Sequence, residues 1–334
     1  MKLKNAITDV RGIEVGHAQD DEALTGCTVI LCRKGAVAGV DVRGGAPGTR
    51  ETDLLNPINL VEKIHALVLA GGSAFGLDAA TGVMHYLEEK KIGFNTGAAK
   101  VPIVPSAILY DLNIGRADVR PDSAMGYRAT ASASSDPPAE GNAGAGAGAS
   151  VGKMFGGTLS MKSGVGTTSI NIGGGVILGA LVAVNALGDV VDPQTSEIIA
   201  GLRSGKVGPL RIGKKDYFAN TLAVMKGTIG RGVLGVATRT NTVIGVVATN
   251  AKLNKAQATK VAQMAQDGVA RAIRPAHTML DGDVLFALST GAEKADVSTV
   301  GAFAAEVMSQ AIVRAVKMAS AAGGLPGLLS FNQK

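Results

Sequence analysis

The stretch Asn241-Thr-Val-Ile-Gly-Val-Val-Ala248 joins a polar pair to an apolar run. We predict a strand over residues 242–250, because short apolar runs rich in β-branched residues are typical of strands buried in a core. Residues 231–238 form a second candidate strand just upstream. The polar pair is therefore predicted to lie at the start of a buried strand.

Apolar runs and amphipathic stretches alternate along much of the rest of the chain. The runs predict strands at 66–72, 175–191 and 284–288, and the stretches predict helices at 76–91, 254–273 and 298–322. Asn254 is a suitable cap for the second helix, and Gly323-Gly324 should end the third. Residues 130–148 are predicted to form a long surface loop that runs into a glycine-rich buried turn. This alternation favours helices packed on sheet layers.

The composition is that of a globular protein and excludes several classes. The 334 residues are 46% apolar and 18% charged, enough for a real core. The net charge of +6 includes no run of five basic residues, and aromatic residues make up only 3%. We therefore expect no nucleic-acid partner. The 46 glycines show no Gly-X-Y period, which excludes collagen.

The sequence also indicates where the protein is located and how many domains it has. Residues 1–10 lack the apolar core of a signal peptide, and glycines interrupt the uncharged stretch 163–188. No membrane partner is expected. Cys27 and Cys32 are interpreted as small buried apolar residues of a reducing compartment, which predicts a cytoplasmic protein. Charge does not divide the chain, so we expect one domain over 1–334.

Common catalytic motifs are absent or weak. Residues 146–153 fail the phosphate-loop pattern at two positions, and the GxGxxG at 230–235 runs into strand-like sequence. A GxSxG surrounds Ser150, but a Gly-Ala run precedes it instead of a strand. The four histidines are scattered, and there is no HExxH or paired-cysteine motif. We therefore predict neither a metal nor a cofactor.

Small polar residues that border apolar runs or a glycine-rich stretch form the remaining candidate site. These residues are Asn241, Thr242, Asn185, Asp281, Asp283 and Lys153. Each alone is ordinary, since Asn-Thr and Asp-Gly-Asp also occur as simple turns. Together they are compatible with one chemical mechanism.

That mechanism uses a threonine as its nucleophile. A threonine hydroxyl is a weak nucleophile that needs a base, and an N-terminal threonine carries one in its own α-amine. An internal threonine becomes N-terminal only when the bond before it is cut. Its hydroxyl can attack the preceding carbonyl and form an ester that water then opens. Asn241 and Thr242 would be the pair on either side of the cut.

Several blocks of this sequence resemble the DmpA-type self-processing peptidases. This family includes L-aminopeptidase D-amidase/esterases, β-aminopeptidases and the 6-aminohexanoate-oligomer (nylon oligomer) hydrolase. The resemblance covers nearly the whole chain and is carried by blocks at 39–48 (GVDVRGGAPG), 70–82 (AGGSAFGLDAATG), 140–153 (EGNAGAGAGASVGK), 180–189 (ALVAVNALGD), 238–250 and 277–291 (HTMLDGDVLFALSTG). The order of several separate blocks makes the resemblance specific.

The resemblance implies an α/β fold built as a four-layer αββα sandwich, similar to that of ornithine acetyltransferase. It also implies self-cleavage into an α chain, 1–241, and a β chain, 242–334. The two chains would stay associated, and the pairs would assemble into a homotetramer.

The same resemblance implies roles for individual residues. Thr242 corresponds to the nucleophile, Asn185 to the oxyanion-hole asparagine and Lys153 to a lysine that assists the nucleophile. Asp281 and Asp283 correspond to paired acids of the nylon-hydrolase branch. The aminopeptidase branch instead has a serine nucleophile, with Ser and Glu at the two acid positions.

We therefore expect a self-processing amidohydrolase or aminopeptidase that acts on small peptides or amides. Two alternatives remain open: an acyltransferase that uses the same nucleophile, and an uncleaved paralogue that only binds. Four residues in or between the matched blocks are candidates for lining the substrate pocket: Asp41, Arg43, Tyr110 and Tyr127.

Overall fold

The computed structural model describes residues 2–213, 216–227, 230, 232 and 241–331. The α-helices of this part of the chain are α1 (Ala79–Glu89), α2 (Ser123–Ala131), α3 (Thr221–Lys226), α4 (Lys255–Ala272), α5 (Val297–Lys317) and α6 (Leu328–Phe331). Its strands are β1 (Glu14–Asp20), β2 (Thr25–Val42), β3 (Thr49–Arg50), β4 (Lys63–Ala70), β5 (Phe94–Asn95), β6 (Lys100–Val101), β7 (Ser106–Ile108), β8 (Ser150–Val151), β9 (Met154–Gly157), β10 (Met161–Lys162), β11 (Val165–Asn171), β12 (Ile177–Asn185), β13 (Asp189–Val191), β14 (Ile198–Ala200), β15 (Gly205–Val207), β16 (Leu210–Ile212), β17 (Thr242–Ala251), β18 (Ile273–Arg274) and β19 (Val284–Glu293).

Strand β2 joins two halves of the largest sheet, whose order is β11-β12-β17-β19-β2-β4-β7-β3, with β1 also paired to β2. Residues 25–31 of β2 pair with β1 and β4, and residues 37–42 pair with β19. The pairing with β4 is irregular between Leu31 and Ala36. We call β11, β12, β17 and β19 with residues 37–42 the β17 half, and β1, β3, β4 and β7 with residues 25–31 the β4 half.

The two halves face each other across a shared apolar core. Ile30 and Leu69 of the β4 half join the same buried cluster as Ile244 and Phe286 of the β17 half. On the outer faces, α1 and α2 cover the β4 half, and α4 and α5 cover the β17 half. The layers therefore run helix, sheet, sheet, helix, which confirms the predicted αββα sandwich.

Strand β17 is buried on both of its faces. Val243 and Val247 pack toward α4 and α5, whereas Ile244 and Val246 point into the core between the sheet halves. Because successive side chains of a strand point to opposite faces, a central strand of this sandwich needs apolar side chains on both faces. This burial explains the apolar run that follows Thr242.

Part of the glycine excess reflects how closely the outer helices approach the sheet. A Cβ atom at Gly39 of β2 would lie 2.1 Å from the backbone nitrogen of Thr259 in α4. At Gly166 of β11 it would lie 2.1 Å from the carbonyl oxygen of Ala311 in α5. Glycine at these two positions lets helix backbone touch strand backbone.

Most predicted elements are present. The predicted strands correspond to β4, to β12 with β13, to β17 and to β19, and two predicted helices correspond to α1 and α4. The Asn254 side chain caps α4 by accepting from the backbone nitrogen of Gln257. Residues 130–148 contain the expected loop and a buried 3₁₀ turn at Gly144–Gly146, but α2 was not predicted. The candidate strand at 231–238 lies outside the described residues, apart from Gly232.

The third predicted helix ends earlier than expected, at Lys317 instead of residue 322. Asn142 explains the difference, because its side chain accepts from the backbone nitrogen of Ser320 and donates to the Ser320 carbonyl. The next backbone nitrogen, that of Ala321, donates to the hydroxyl of Ser330. These backbone groups therefore find partners outside the helix.

Helix α5 is the one described helix that is long and apolar enough, by length and composition, to cross a membrane. Of its apolar window, 67% is buried inside the protein, where the helix packs on β11, β12 and α4. The apolar composition of α5 matches its position as a core helix.

The core between the sheet halves should dominate stability. Phe286→Ala removes a fully buried ring from that core and should lower the free energy of unfolding by about 3–5 kcal/mol. Phe94→Ala is the matched control, since that ring is 37% exposed. Urea unfolding of both variants, each made in a Thr242→Ala background, measures the difference. Equal losses would show that the two sheet halves do not depend on this core.

Candidate active site

Strand register brings the predicted residues to one end of the β17 half. Strand β12 runs antiparallel to β17 and places Asn185 directly opposite Thr242. Strand β19 runs parallel to β17, so Asp281 and Asp283, which precede it, lie at the same end. An isolated parallel bridge also joins Asn241 to Asp281. Three separate stretches of sequence thus meet where β17 begins.

The hydroxyl of Thr242 contacts the peptide bond that precedes it. Thr242 is only 5% exposed, and its Oγ1 donates a hydrogen bond to the carbonyl oxygen of Asn241 at 2.5 Å. The backbone nitrogen of Gly282 donates to the same oxygen at 2.8 Å. The hydroxyl is therefore held beside the bond that the sequence predicts to be cut.

Asp283 ties the loop before β19 to the residue after the nucleophile. Its Oδ1 accepts from the backbone nitrogen of Val243 at 2.7 Å. Its Oδ2 accepts from the backbone nitrogen of His277 at 3.1 Å and lies 2.8 Å from the ring Nδ1 of the same residue. Asp283 therefore positions the start of β17.

His277 was not among the predicted site residues. Its Nε2 is buried and has no hydrogen-bond partner within the part of the chain that the structure describes. His277 adopts a left-handed conformation with φ of 58°, which turns the loop back toward Asp283 six residues later. The sequence carries one signal for His277, its position at the start of the block 277–291. The turn itself could not be predicted, because sequence spacing does not reveal a left-handed residue.

Asp281 is held by its own loop. Its Oδ2 accepts from the backbone nitrogen of Thr278 at 2.8 Å and from the Thr278 hydroxyl at 2.6 Å. Burial raises the pKa of Asp281, and the neighbouring Asp283 raises it further, whereas the Thr278 hydrogen bonds and Lys153 oppose the shift. Two buried acids and one lysine thus share this end of the sheet.

Lys153 lies between β8 and β9, with 6% of its surface exposed. Its backbone nitrogen donates to the carbonyl of Leu187 at 3.1 Å, which holds its loop against the segment that follows Asn185. Burial lowers the pKa of Lys153 to about 7, although Asp281, Asp111 and Asp283 favour its charged form. Lys153 therefore has a substantial neutral fraction near pH 7.

The side-chain amide of Asn185 is oriented by two backbone groups. Its Oδ1 accepts from the backbone nitrogen of Ser150 at 3.1 Å, and its Nδ2 donates to the carbonyl of Tyr110 at 2.8 Å. Ser150, the weak nucleophile candidate, is itself buried at the start of β8. The backbone of Tyr110 thus contacts Asn185, the residue that lies opposite Thr242.

Two further buried charged residues support the loops around the site, and neither was predicted. Asp111 accepts from the backbone nitrogen of Gly72 at 2.7 Å and from the Thr25 hydroxyl at 2.8 Å, and burial raises its pKa. Lys162 is fully buried, and burial lowers its pKa to about 7. The Lys162 Nζ donates to the carbonyls of Gly146 (2.9 Å), Ala149 (3.0 Å) and Ser163 (2.5 Å). It holds the glycine-rich turn in place.

The other pocket candidates divide into two groups. The backbone nitrogen of Arg43 donates to the carbonyl of Asp283 at 2.9 Å, and its side chain pairs with Asp41 at 2.9 Å, which places both near the acids. Tyr127 instead packs edge-on against Tyr86 and donates to Glu89, between α1 and α2. Tyr127 therefore belongs to the outer helical layer.

The cysteines behave as small apolar residues, as predicted. Cys27 and Cys32 are both buried and unbridged on β2, and burial raises the pKa of each thiol to about 12. No group of three or more His, Cys, Asp or Glu is placed to hold a metal ion among the residues that the structure describes.

The profile of peptidase family S58 matches residues 5–328. This chain belongs to peptidase family S58. It is 44% identical to an uncharacterized aminopeptidase of Mycobacterium tuberculosis, over 96% of each chain. It is 33% identical to the 6-aminohexanoate-oligomer endohydrolase of a Kocuria species, over 92% of this chain and 85% of the relative. This S58 protein is thus a peptide-bond hydrolase.

Solved structures support the same fold. The Ochrobactrum anthropi L-aminopeptidase D-Ala-esterase/amidase, a variant of the Ntn hydrolase fold, aligns with a TM-score of 0.71 over 96% of this chain and 88% of its own. A Burkholderia β-aminopeptidase aligns with a TM-score of 0.69 over 97% of this chain and 90% of its own. Sequence identities of 21% and 23% make these likenesses statements about fold.

The buried lysines of this S58 protein should make its stability rise with pH. Lys153 and Lys162 have pKa values near 7 when folded, against 10.5 as the ordinary value, so above pH 7 the unfolded chain binds more protons. Each lysine should add up to about 1.4 kcal/mol per pH unit to the free energy of unfolding. The clean window is pH 7.5–9, because above it the two cysteines, whose ordinary pKa is 9.0 and whose pKa in the folded protein is about 12, ionise in the unfolded chain and offset the gain from the two lysines.

Lys153→Met in a Thr242→Ala background should reduce this slope by about one proton. Lys206→Met, at an exposed lysine, is the matched control and should leave the slope unchanged. Urea unfolding at several pH values measures both. An unchanged slope in Lys153→Met would mean that Lys153 stays charged in the folded protein.

Proposed function

We propose that this S58 hydrolase activates itself by cutting the bond between Asn241 and Thr242 and then uses Thr242 as its nucleophile. The observation that carries the proposal is the contact between Thr242 Oγ1 and the Asn241 carbonyl oxygen, 2.5 Å apart, at the start of β17. Asn185 lies opposite in the ladder, and Lys153, Asp281 and Asp283 surround this end of the sheet.

The pairing of strands in the sheet explains how the two pieces would remain together after the cut. Strands β17 and β19 belong to the piece 242–334, whereas β12 and β2 belong to the piece 1–241. Strand β17 pairs with β12 over eight residues, from Asn185↔Thr242 to Leu178↔Thr249, and β19 pairs with β2. These hydrogen bonds and the apolar core survive the loss of one peptide bond.

Self-cleavage begins with an acyl shift. The Thr242 hydroxyl oxygen attacks the carbonyl carbon of Asn241, the carbon–nitrogen bond breaks, and the threonine nitrogen leaves as an amine that takes up the proton. Asn241 is then esterified to the Thr242 oxygen. Water adds to the ester carbon and releases the Asn241 carboxylate, which leaves Thr242 with a free hydroxyl and a free α-amine.

Before the cut, the threonine nitrogen is part of an amide and cannot act as the base. Lys153 is suited to that role, because a base is most effective when its pKa lies near the working pH and burial places that of Lys153 at about 7. Its neutral amine would accept the hydroxyl proton. Asp281 and Asp283 would stabilise the ammonium that forms.

After the cut, the α-amine of Thr242 becomes the base for turnover. The hydroxyl attacks the carbonyl carbon of a substrate amide, the amine product leaves with a proton, and water hydrolyses the acyl-enzyme. The side-chain amide of Asn185 stabilises the oxyanion, a contribution typically worth about 3–4 kcal/mol for one donor. Relatives named aminopeptidase and 6-aminohexanoate-oligomer endohydrolase support small peptides or amides as the substrate class.

Thr242→Ala should abolish both self-cleavage and hydrolysis, because it removes the atom whose attack begins both reactions. Thr242→Ser keeps a hydroxyl and should retain part of both. Thr249→Ala, at the far end of the same buried strand, is the matched control and should cleave and hydrolyse like the parent. Denaturing gels follow cleavage, and release of p-nitroaniline from a panel of amino-acid anilides follows hydrolysis.

Cleavage or amide hydrolysis by Thr242→Ala would contradict the assignment of the nucleophile. A second readout addresses the acceptor: the assay is repeated with added amines, and products are identified by mass. Free acid as the main product supports a hydrolase, whereas an amine-dependent amide product identifies an acyltransferase with the same nucleophile.

The rate of self-cleavage should follow the ionisation of Lys153. The rate should rise about tenfold per pH unit below pH 7, where the neutral amine is scarce, and level off above about pH 8. Protein purified at pH 5.5 and shifted to each test pH provides the time courses. Lys153→Met should be slow throughout and lose this dependence.

Lys162→Met is the matched control for that profile. Lys162 is also buried, with its pKa also near 7, but its Nζ donates to backbone carbonyls of the glycine-rich turn. Its loss should weaken stability and leave the pH dependence of cleavage unchanged in the folded protein. If Lys153→Met retains the parent profile, the proton goes to another group.

A further inference from the structure

Gly282 presents its backbone N–H to the carbonyl that self-cleavage would attack. The nitrogen donates to the Asn241 oxygen at 2.8 Å, and the Thr242 hydroxyl contacts the same oxygen at 2.5 Å. The contact accompanies the isolated parallel bridge between Asn241 and Asp281, which continues the register of the β17–β19 pairing three positions before its first pair, Ile244↔Val284. A hydrogen bond at this oxygen becomes stronger when the oxygen acquires negative charge.

We propose that the Gly282 backbone N–H is the oxyanion donor of self-cleavage; this inference rests on the proposed function. When Thr242 Oγ1 bonds to the Asn241 carbon, the carbonyl oxygen becomes an oxyanion, and the N–H of Gly282 is already directed at it. The Asn185 amide is oriented by Tyr110 and Ser150. The Gly282 N–H therefore lies at the carbonyl that activation would attack.

The surrounding hydrogen bonds hold the Gly282 N–H in place before the reaction. The carbonyl of Asp281 accepts from the backbone nitrogen of Ala46 at 2.8 Å, and the carbonyl of Asp283 accepts from that of Arg43 at 2.9 Å. The side chains of both acids are also bonded within the site. A donor fixed in this way needs no reorganisation as charge develops, which makes it effective for an oxyanion.

The lack of a side chain at Gly282 has a spatial cause. A Cβ there would lie 2.5 Å from the Ala46 carbonyl oxygen and 2.9 Å from Thr242 Oγ1. Its φ is outside the left-handed region, so backbone conformation does not require glycine. Glycine instead lets the N–H reach the Asn241 carbonyl while the nucleophile occupies the adjoining space.

The direct test replaces the Gly282 N–H by an ester oxygen. Cell-free translation with a suppressor tRNA charged with glycolic acid makes this change and adds no side chain. Self-cleavage should slow by about 10²–10³-fold, the usual effect of losing one oxyanion donor. The pH at which the rate levels off should not move, because the N–H acts on the oxyanion and not on the base.

An ester at Ala46, introduced with lactic acid, is the matched control. It removes the bond between Ala46 and the Asp281 carbonyl, the same bond that an ester at Gly282 weakens from the other side. This control should cleave within a few-fold of the parent. If the two esters cleave at equal rates, the Gly282 N–H is only a ladder bond and the inference is overturned. If the unmodified chain never cleaves, the proposed function itself fails.

A second variant tests the proposal if the protein that carries the ester folds poorly. Gly282→Ala keeps the N–H but must displace it from its contact beside the nucleophile, because the new Cβ meets both the Ala46 oxygen and Thr242 Oγ1. Gly45→Ala is its control, with a Cβ 2.7 Å from Met279 Cα in the same pair of loops. We expect Gly282→Ala to cleave at least tenfold more slowly than Gly45→Ala. Cleavage at the same rate in both would overturn the inference.

Discussion

The register between β12 and β17 is the constraint on which the rest of the site depends. It sets Asn185 opposite Thr242, and the parallel pairing of β17 with β19 brings Asp281 and Asp283 to the same end. A slip of one residue would turn the Thr242 side chain to the opposite face of the sheet. The apolar faces of β17 prevent such a slip, because each face packs into a different core.

Burial gives this arrangement its chemistry. One end of the sheet holds Lys153, Asp281, Asp283 and Asp111 away from water, where an isolated charge is costly. Hydrogen bonds from Thr278, Val243, Gly72 and Thr25 satisfy the carboxylates, and burial lowers the pKa of the lysine. The same packing that specifies the sandwich therefore also lowers the pKa of a lysine and gathers two acids at the end of the sheet where the Thr242 hydroxyl lies.

The sequence revealed those features that follow from local pattern. The apolar runs predicted β17 and β19, and the polar residues at their starts, Thr242 and Asp283, were found for that reason. Lys162 and Asp111 carried no signal, because their partners are distant backbone groups and a hydroxyl brought near by the fold. His277 reaches Asp283 through a left-handed turn, and Asn142 ends α5 from 178 residues away. Such contacts depend on tertiary structure, so no periodic pattern in the sequence predicts them.

The most direct measurement of the central claim is the mass of the purified chain under denaturing conditions, with the N-terminus of each species identified. Scaled from 33.6 kDa for 334 residues, self-cleavage before Thr242 predicts species of about 24 kDa (1–241) and about 9 kDa (242–334). The smaller species should begin with Thr242. A single species of 33.6 kDa that persists on long incubation above pH 8, or a cut at any other bond, would contradict self-cleavage between Asn241 and Thr242.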